Sequence, residues 1–273
     1  MSRRALLVGG LGVGVLGVAG VVTDVLPGGP RVRRFLGMTG QEGAIPDVPA
    51  GPVVTTRIQS GARGREVTVI TMAPHGFAAD ELPKCVALHG RGGDAHWMVD
   101  LGVPQFLTAA VRAGVPPFAV VSPDGGADSY WVEHDGDDPQ RMLAEELGPI
   151  QAALGISMGA FGALRLARGR ELEVVAVASP ALYRDWSDAA GKGVFTSRAQ
   201  WEADEPLRHV GELSAPVGVW CGTEDPFVDA ARQLVAEARP AHAAITSGAH
   251  EVSYWRRVLP EMIAFAGPRL AAP

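Results

Sequence analysis

The chain has 273 residues, 47% of them hydrophobic, which suits one large α/β domain with a sizeable core. Its net charge is −6, but the first 34 residues hold five arginines and one aspartate, so the remainder has 19 basic and 29 acidic residues, a net charge of −10. An acidic body without a basic cluster excludes nucleic acid as the expected partner.

Residues 1–23 are predicted to be an export signal. Arg3 and Arg4 precede an uncharged, Gly-rich apolar run over residues 5–22, a pattern typical of the twin-arginine route. The run has 18 residues, enough to cross a bilayer with little tilt. No clear Ala-x-Ala cleavage site follows, so a cleaved signal and a retained anchor with membrane association through residues 5–22 both stay open. Either one predicts an exported protein, secreted or held in the cell envelope.

The same segment contains a Gly-x-Gly-x-x-Gly pattern at Gly12, Gly14 and Gly17. A dinucleotide-binding turn of this kind needs an amphipathic helix after it and an acidic residue about 20 positions further on. Here the residues after Gly17 stay apolar to Val22. The pattern is therefore assigned to the export segment, and no cofactor is expected.

The catalytic domain is predicted over 52–273, after a Gly- and Pro-rich linker over 24–51. Short apolar runs alternate with helical stretches, which favours a central, mostly parallel sheet flanked by helices. The predicted strands cover 53–60, 65–74, 85–90, 116–126, 150–157, 172–180, 216–222 and 242–248. The predicted helices cover 103–113, 139–147, 158–168 and 252–265. An insertion over 181–213 is either a lid over the site or a surface excursion.

Cys85 and Cys221 lie on two strands that are predicted not to be neighbours. Strands lie about 4.8 Å apart, so several strand spacings exceed the limit of about 7 Å between the Cα atoms of a disulfide. We expect two buried free thiols.

A Gly-x-Ser-x-Gly pattern over 155–159 ends one predicted strand and leads directly into a helix. Ligands bind beyond the carboxyl ends of the strands in open parallel sheets, and a nucleophile elbow needs this strand–turn–helix context. Gly155, Gly159 and Ala160 are small enough for so tight a turn. Ser157 is therefore predicted to be a nucleophile, with the N-cap of the helix as its alternative role.

A serine hydroxyl needs an adjacent base, and an imidazole base needs an acid that orients it. His250 follows the last predicted strand, and Asp225 follows the strand before it. The order Ser157, Asp225, His250 is typical of α/β-hydrolases. His89 is the rival base, and Glu224 is the alternative acid.

A tetrahedral intermediate also needs preorganised N–H donors. The backbone of Met158, directly after the nucleophile, and that of Arg91, in the Gly-rich loop 89–93, are the predicted oxyanion hole. An ordinary Gly-rich turn is the alternative for this loop. No metal-ligand cluster or nucleotide loop is visible in the sequence, so no metal is expected.

Four aromatic residues follow strand ends at short distances in the chain. They are predicted to line an acyl or sugar pocket, with core packing as the alternative: Trp97, Tyr130, Trp131 and Trp255.

Together these motifs resemble the esterase branch of the α/β-hydrolases, which includes esterase D, feruloyl and acetyl esterases and the secreted mycolyltransferases of actinobacteria. The resemblance covers residues 50–267 and rests on HGRGG, PDGGADSYW, GISMGAFGALRLA, GTEDPF and GAHEVSYWRRVLP. It implies the α/β-hydrolase fold and assigns the same nucleophile, base, acid and oxyanion donors. The mycolyltransferases have Glu as the triad acid and begin the oxyanion loop with Asp-Gly, where this chain has Asp225 and His89-Gly90.

The expected function is that of an exported serine carboxylesterase that cleaves a small-molecule, lipid or sugar ester through an acyl-enzyme on Ser157. One alternative is an acyltransferase that moves an acyl or mycolyl group to a sugar or glycolipid hydroxyl. Another is an inactive hydrolase scaffold that serves as a cell-envelope binding protein.

Overall fold

A computed structural model describes residues 39–271, so the predicted export segment and the first part of the predicted linker lie outside the described residues. Within the described range, no helix combines the length and apolar character that crossing a bilayer requires.

The centre of the domain is an eight-stranded sheet. Its strands β1 to β8 are Val53–Ser60, Arg65–Met72, Lys84–Leu88, Ala119–Pro123, Ala152–Ile156, Val174–Ala178, Val217–Gly222 and His242–Thr246. Their order in the sheet is β1-β2-β4-β3-β5-β6-β7-β8. Only β2 runs antiparallel to its neighbours, and the other pairs are parallel. All eight predicted strands are present, most of them shorter than expected, because the predicted bounds include Gly, Pro and Ser residues of the adjoining turns.

Helices cover both faces of the sheet, which is why β4 to β7 are buried at every position. The helices α1 to α8 are Trp97–Leu101, Val103–Arg112, Pro139–Glu145, Met158–Gly169, Trp186–Ala190, Arg198–Asp204, Val228–Ala238 and Val252–Leu270. One core layer joins the sheet to α3, α4, α7 and the insertion, and the other joins it to α1, α2 and α8. Two 3-10 helices cover Ala79–Glu81 and Pro206–Glu212.

The last helix, α8, is longer than predicted and contains Pro260 and Pro268. Both prolines are exposed, so the missing N–H groups and any local bend fall on the solvent side. The buried stripe continues past them to Leu270. Packing of that stripe against the sheet extends the helix through the two prolines, although the low helix propensity of proline favours an earlier end.

The insertion between β6 and β7 is a packed part of the domain. Its side chains Tyr183, Phe195 and Trp201 are buried. The buried Glu205 carboxylate accepts hydrogen bonds from Tyr183 N at 3.0 Å, Trp201 Nε1 at 3.3 Å and Leu207 N at 3.2 Å. Burial raises the pKa of Glu205 to about 8, although these donors favour the ionised form.

Residues 39–51, the described part of the predicted linker, lie against the domain. Gly43 N donates to Ser253 O at 2.9 Å at the start of α8. Arg257 donates to Thr39 O at 3.3 Å, to Gln41 O at 2.6 Å, and to Ser247 O in the turn after β8. This arginine therefore connects the linker to the turn after the last strand.

The expectation for the two cysteines is confirmed. Cys85 lies on β3 and Cys221 on β7, and both are buried and free. Two strands, β5 and β6, separate them. Burial raises the pKa of the Cys85 thiol to about 12 and also raises that of Cys221.

Candidate active site

Ser157 occupies the sharp turn between β5 and α4, with φ 58° and ψ −120°. A positive φ is unfavourable for any residue except glycine and costs about 1–3 kcal/mol, so the surroundings must hold it. Ser157 N donates to Ala178 O at 3.0 Å, and Ser157 O accepts from Ala160 N at 3.0 Å. The hydroxyl bonds to His250 rather than to an N–H group of α4, so Ser157 does not use its side chain as an N-cap.

The two glycines of the motif are required by close contacts. A Cβ atom on Gly155 would lie 2.1 Å from Gly159 O, and one on Gly159 would lie 1.8 Å from Leu88 O. Any side chain at either position would push α4 away from β3 or β5. The spacing seen in the sequence therefore has a steric cause at this turn.

Ser157, His250 and Asp225 form one hydrogen-bonded relay. Ser157 Oγ lies 2.8 Å from His250 Nε2, and His250 Nδ1 lies 2.8 Å from Asp225 Oδ2. The Asp225 side chain is 0% exposed, and its Oδ1 accepts from Phe227 N at 2.9 Å. Because the carboxylate only accepts, we place the His250 proton on Nδ1, which leaves Nε2 free to accept the serine proton.

Aromatic rings hold the His250 imidazole on two sides. Phe227 has its ring centroid 5.4 Å from that of His250, and Trp255 lies 5.2 Å away with its ring nearly perpendicular. Trp255 Nε1 in turn donates to the buried Ser179 Oγ at 3.0 Å. These contacts limit the rotation of the imidazole, so the relay is oriented before any ligand binds.

His89, the rival base, has a different place. It is buried, with Nδ1 2.9 Å from Gly90 O, and Nε2 accepts from Gly125 N at 2.9 Å. Burial lowers its pKa, which favours the neutral ring that this pattern requires. Both ring nitrogens are therefore occupied, and His89 joins the loop after β3 to the loop after β4.

The predicted oxyanion donors lie next to Ser157. Met158 is the first residue of α4, and Gly90 approaches so closely that a Cβ on it would be 3.5 Å from Ser157 Cβ. The loop is held by Gly92 N donating to Ala127 O at 2.6 Å and by Gly93 N donating to Gly90 O at 3.1 Å. Across residues 39–271, no carbonyl accepts from the N–H groups of Arg91 or Met158. Both donors are thus available to a ligand.

A cavity of about 330 Å³ opens at Ser157 and His250. Three of the four predicted substrate residues line it, and two further aromatic residues complete its wall. The five aromatic lining residues are Trp97, Tyr130, Tyr183, Phe227 and Trp255. Tyr183 follows the end of β6 and Phe227 follows Asp225, so the rule that selected the other aromatics would also have found these two.

The geometry corrects the expectation for Trp131. This side chain is 0% exposed and does not line the cavity. It packs on Gly125 and on Gly162 of α4, and its Nε1 donates to His89 O at 3.3 Å. Tyr130 and Trp131 both have positive φ, 49° and 57°, and in this turn only the first reaches the cavity. Trp131 is a core residue beneath the site.

The Tyr130 and Tyr183 hydroxyls form a hydrogen bond in the cavity wall. Burial raises the pKa of both phenols, so both stay protonated at neutral pH. The insertion thus contributes a polar group as well as an aromatic ring to the site.

The residues available to a metal are few. Within the described range, no three side chains of His, Cys, Asp or Glu come together as a ligand set.

No family model matches the chain, and no curated protein matches it. Solved structures do match. A ferulic acid esterase superposes with a TM-score of 0.70 at 18% identity, covering 82% of this chain and 100% of its own. An S-formylglutathione hydrolase from Agrobacterium tumefaciens superposes with a TM-score of 0.65 at 16% identity, covering 85% of this chain and 99% of its own. A ferulic acid esterase from Anaeromyces mucronatus in complex with ferulic acid has a TM-score of 0.62 at 18% identity, covering 82% of this chain and 93% of its own.

These similar structures are esterases and hydrolases of the group that the sequence motifs resemble. The chain has the α/β-hydrolase fold, as predicted, with its central, mostly parallel sheet and flanking helices.

Proposed function

We propose that this chain is a serine carboxylesterase, with Ser157 as nucleophile, His250 as base and Asp225 as acid. The relay carries this proposal: two contacts of 2.8 Å join a strained serine to an oriented imidazole and a buried carboxylate at the base of a cavity. Nucleophile, base and orienting acid within hydrogen-bond reach are the signature of covalent catalysis.

The proposed reaction proceeds through an acyl-enzyme. His250 Nε2 takes the Ser157 proton while Ser157 Oγ forms a bond to the ester carbonyl carbon. The Arg91 and Met158 N–H groups stabilise the resulting oxyanion. The carbon–oxygen bond to the alcohol then breaks, and the alcohol leaves with the proton from His250. Water, activated by the same imidazole, releases the acid and restores Ser157.

The size and the lining of the cavity favour a substrate with a short or planar acyl group. Its volume of about 330 Å³ lies at the lower end of the range of about 300–1,000 Å³ for small-molecule sites. Half of its ten lining residues are aromatic, and such side chains favour apolar, flat groups. A long unbranched acyl chain would have to leave this cavity.

The proposed enzyme is exported, on the strength of Arg3, Arg4 and the apolar run over residues 5–22. Whether this segment is removed or stays as an anchor affects where the enzyme acts and leaves its chemistry unchanged.

The acyltransferase alternative differs only in the acceptor of the acyl group. A second cavity of about 620 Å³ shares Tyr183, Lys192 and Phe227 with the catalytic one, which provides room for an acceptor alcohol. Product analysis with trehalose or glycerol present separates the two reactions, because a hydrolase yields only the free acid.

The decisive experiment compares the wild type with Ser157→Ala. We expect Ser157→Ala to lose hydrolysis of 4-nitrophenyl esters by about 10³-fold or more, because no other described hydroxyl lies at His250 Nε2. A fluorophosphonate should label the wild type at Ser157 and leave the variant unlabelled. The measurements are initial rates and intact mass.

Ser214→Ala is the matched control, since Ser214 is exposed and precedes β7 at the opposite end of the sheet. It should keep both activity and labelling. Wild-type rates in Ser157→Ala would refute the assignment of the nucleophile. Failure of the probe to label the wild type would favour the inactive binding scaffold instead.

A further inference from the structure

The side chains that line the catalytic cavity are more basic than the rest of this acidic protein. Of its ten lining residues, Arg91 and Lys192 are cationic and none is acidic. The chain without its first 34 residues carries a net charge of −10. The cavity around Ser157 is therefore a locally basic site in an acidic body.

The two cations differ in their partners. Arg91 Nη2 lies 2.5 Å from Asp128 Oδ2, so its charge is largely balanced. Lys192 is exposed and forms no ion pair with any acid of residues 39–271. The Lys192 ammonium group is thus available to pair with an anionic ligand.

Lys192 stands where two cavities meet. It lines both the catalytic cavity and the outer cavity of about 620 Å³. The outer cavity also contains Arg184, Asp188 and Asp229, and Asp229 is paired with Arg232 at 3.0 Å. Lys192 therefore lies at the inner end of this passage, in the same cavity as Ser157.

An acidic body repels an anionic ligand at long range, but salt screens that repulsion beyond about 8 Å at physiological ionic strength. Within the cavity of Ser157, the cation without an acidic partner then decides which ligands gain a favourable contact. A neutral ester gains nothing from Lys192, whereas an ester with a carboxylate or phosphate does.

From this arrangement we infer that Lys192 selects esters that carry an anionic group, a carboxylate or phosphate, near the scissile bond. The inference rests on the proposed ester hydrolysis. It names a class of substrate, and it leaves to experiment whether the charge belongs to the acyl group or to the alcohol.

The test compares kcat/KM for matched pairs of esters. For the acyl side the pair is 4-nitrophenyl butyrate and 4-nitrophenyl hemisuccinate. For the alcohol side it is the acetate ester of methyl 4-hydroxybenzoate and the acetate ester of 4-hydroxybenzoate. Each pair gives a ratio of anionic to neutral rate constants, measured in the wild type, Lys192→Gln and Lys192→Glu at low and high salt.

On at least one side, the ratio should fall by about two- to fivefold in Lys192→Gln, the range expected for an exposed charge contact, and further in Lys192→Glu. Added salt should reduce the wild-type ratio. The responding pair identifies the side that carries the charge. Lys84→Gln is the matched control, because Lys84 is the one other lysine of the chain and lies at the start of β3, away from the cavity. It should leave both ratios unchanged.

Equal ratios in the wild type and both Lys192 variants, with neutral esters still hydrolysed, would overturn this inference and leave the proposed esterase intact. If the wild type hydrolyses neither member of either pair, the proposed esterase fails as well, and the two failures are thereby distinguished.

Discussion

At the scale of single residues, the turn at Ser157 combines strain with close packing. The serine has φ 58°, and Gly159 lies so close to β3 that an added Cβ would be 1.8 Å from Leu88 O. Leu88 leads directly into the loop that contains Arg91. One glycine therefore sets the spacing of the predicted nucleophile and of a predicted oxyanion donor.

Gly159→Ala should destabilise the fold by about 3 kcal/mol, at the upper end of the cost of overpacking, because the obstructing atom is backbone. The variant that still folds should also lose ester hydrolysis, since α4 and the 89–93 loop would separate. Urea unfolding and ester hydrolysis measure the two effects. Gly169→Ala is the control, because no atom lies within 4 Å of a Cβ there. This change should increase the free energy of unfolding by at most about 1 kcal/mol. Equal stability of the two variants would contradict the steric argument.

The same scale separates what the sequence could reveal about the site from what it could not. The relay was predictable because each member follows a strand end in a fixed order along the chain. The burial of Trp131 beneath the site was not predictable, since two consecutive positive φ angles decide which of the two adjacent aromatic residues reaches the cavity. The position of Lys192 was not predictable either, because the fold of the insertion brings it into the wall of the cavity that contains Ser157.

At the scale of elements, the insertion depends on one buried carboxylate. Glu205 bonds the main chain at Tyr183 and Leu207 and the indole of Trp201. Tyr183 lines the catalytic cavity, so this carboxylate supports part of its wall. Whether the insertion also opens as a lid stays a prediction.

Glu205 makes the stability of the fold depend on pH. Its pKa rises from 4.5 to about 8 on burial, so the folded state binds a proton in this window that the unfolded state has released. The free energy of unfolding should therefore decrease as the pH rises from about 5 to 8. Glu205→Gln, neutral at every pH, should lack this part of the decrease in urea unfolding measured at each pH.

Glu202→Gln is the control, because Glu202 is a half-exposed glutamate in the same insertion. Its free energy of unfolding should change with pH as that of the wild type does. If the free energy of unfolding decreases equally in Glu205→Gln and in the wild type from about pH 5 to 8, Glu205 does not hold a proton in the folded state, and this explanation is wrong.

The helices show where local patterns suffice and where they do not. The four predicted helices are all present. The sequence predicts no element over 228–238, where α7 has only a short apolar stripe of Ala230, Ala231 and Leu234. It ends the last helix near 265, although packing carries α8 past Pro268 to Leu270. In both cases tertiary contacts, which no short window contains, decide the outcome.

At the scale of the whole molecule, the candidate site draws on six strands of the sheet. The Arg91 loop follows β3, Tyr130 follows β4, Ser157 follows β5, Tyr183 follows β6, Asp225 follows β7 and His250 follows β8. The parallel direction of these strands brings all six ends to one edge. The relay therefore holds its geometry only while this half of the sheet stays intact.

The two buried cysteines allow the opening of that sheet to be followed chemically. A buried thiol reacts with an alkylating agent only when its strand opens. Cys221 lies on β7, one strand from the edge, whereas Cys85 lies on β3 in the middle of the sheet. We expect iodoacetamide to modify Cys221 before Cys85 in mild denaturant, as read by peptide mass, with Cys221→Ala as the single-thiol reference.

Equal rates for the two thiols would instead mean that β3 and β7 open together. In either outcome, the two natural thiols report separately on the centre of the sheet and on the strands near its edge, and they show whether the edge that supports His250 separates before the centre does.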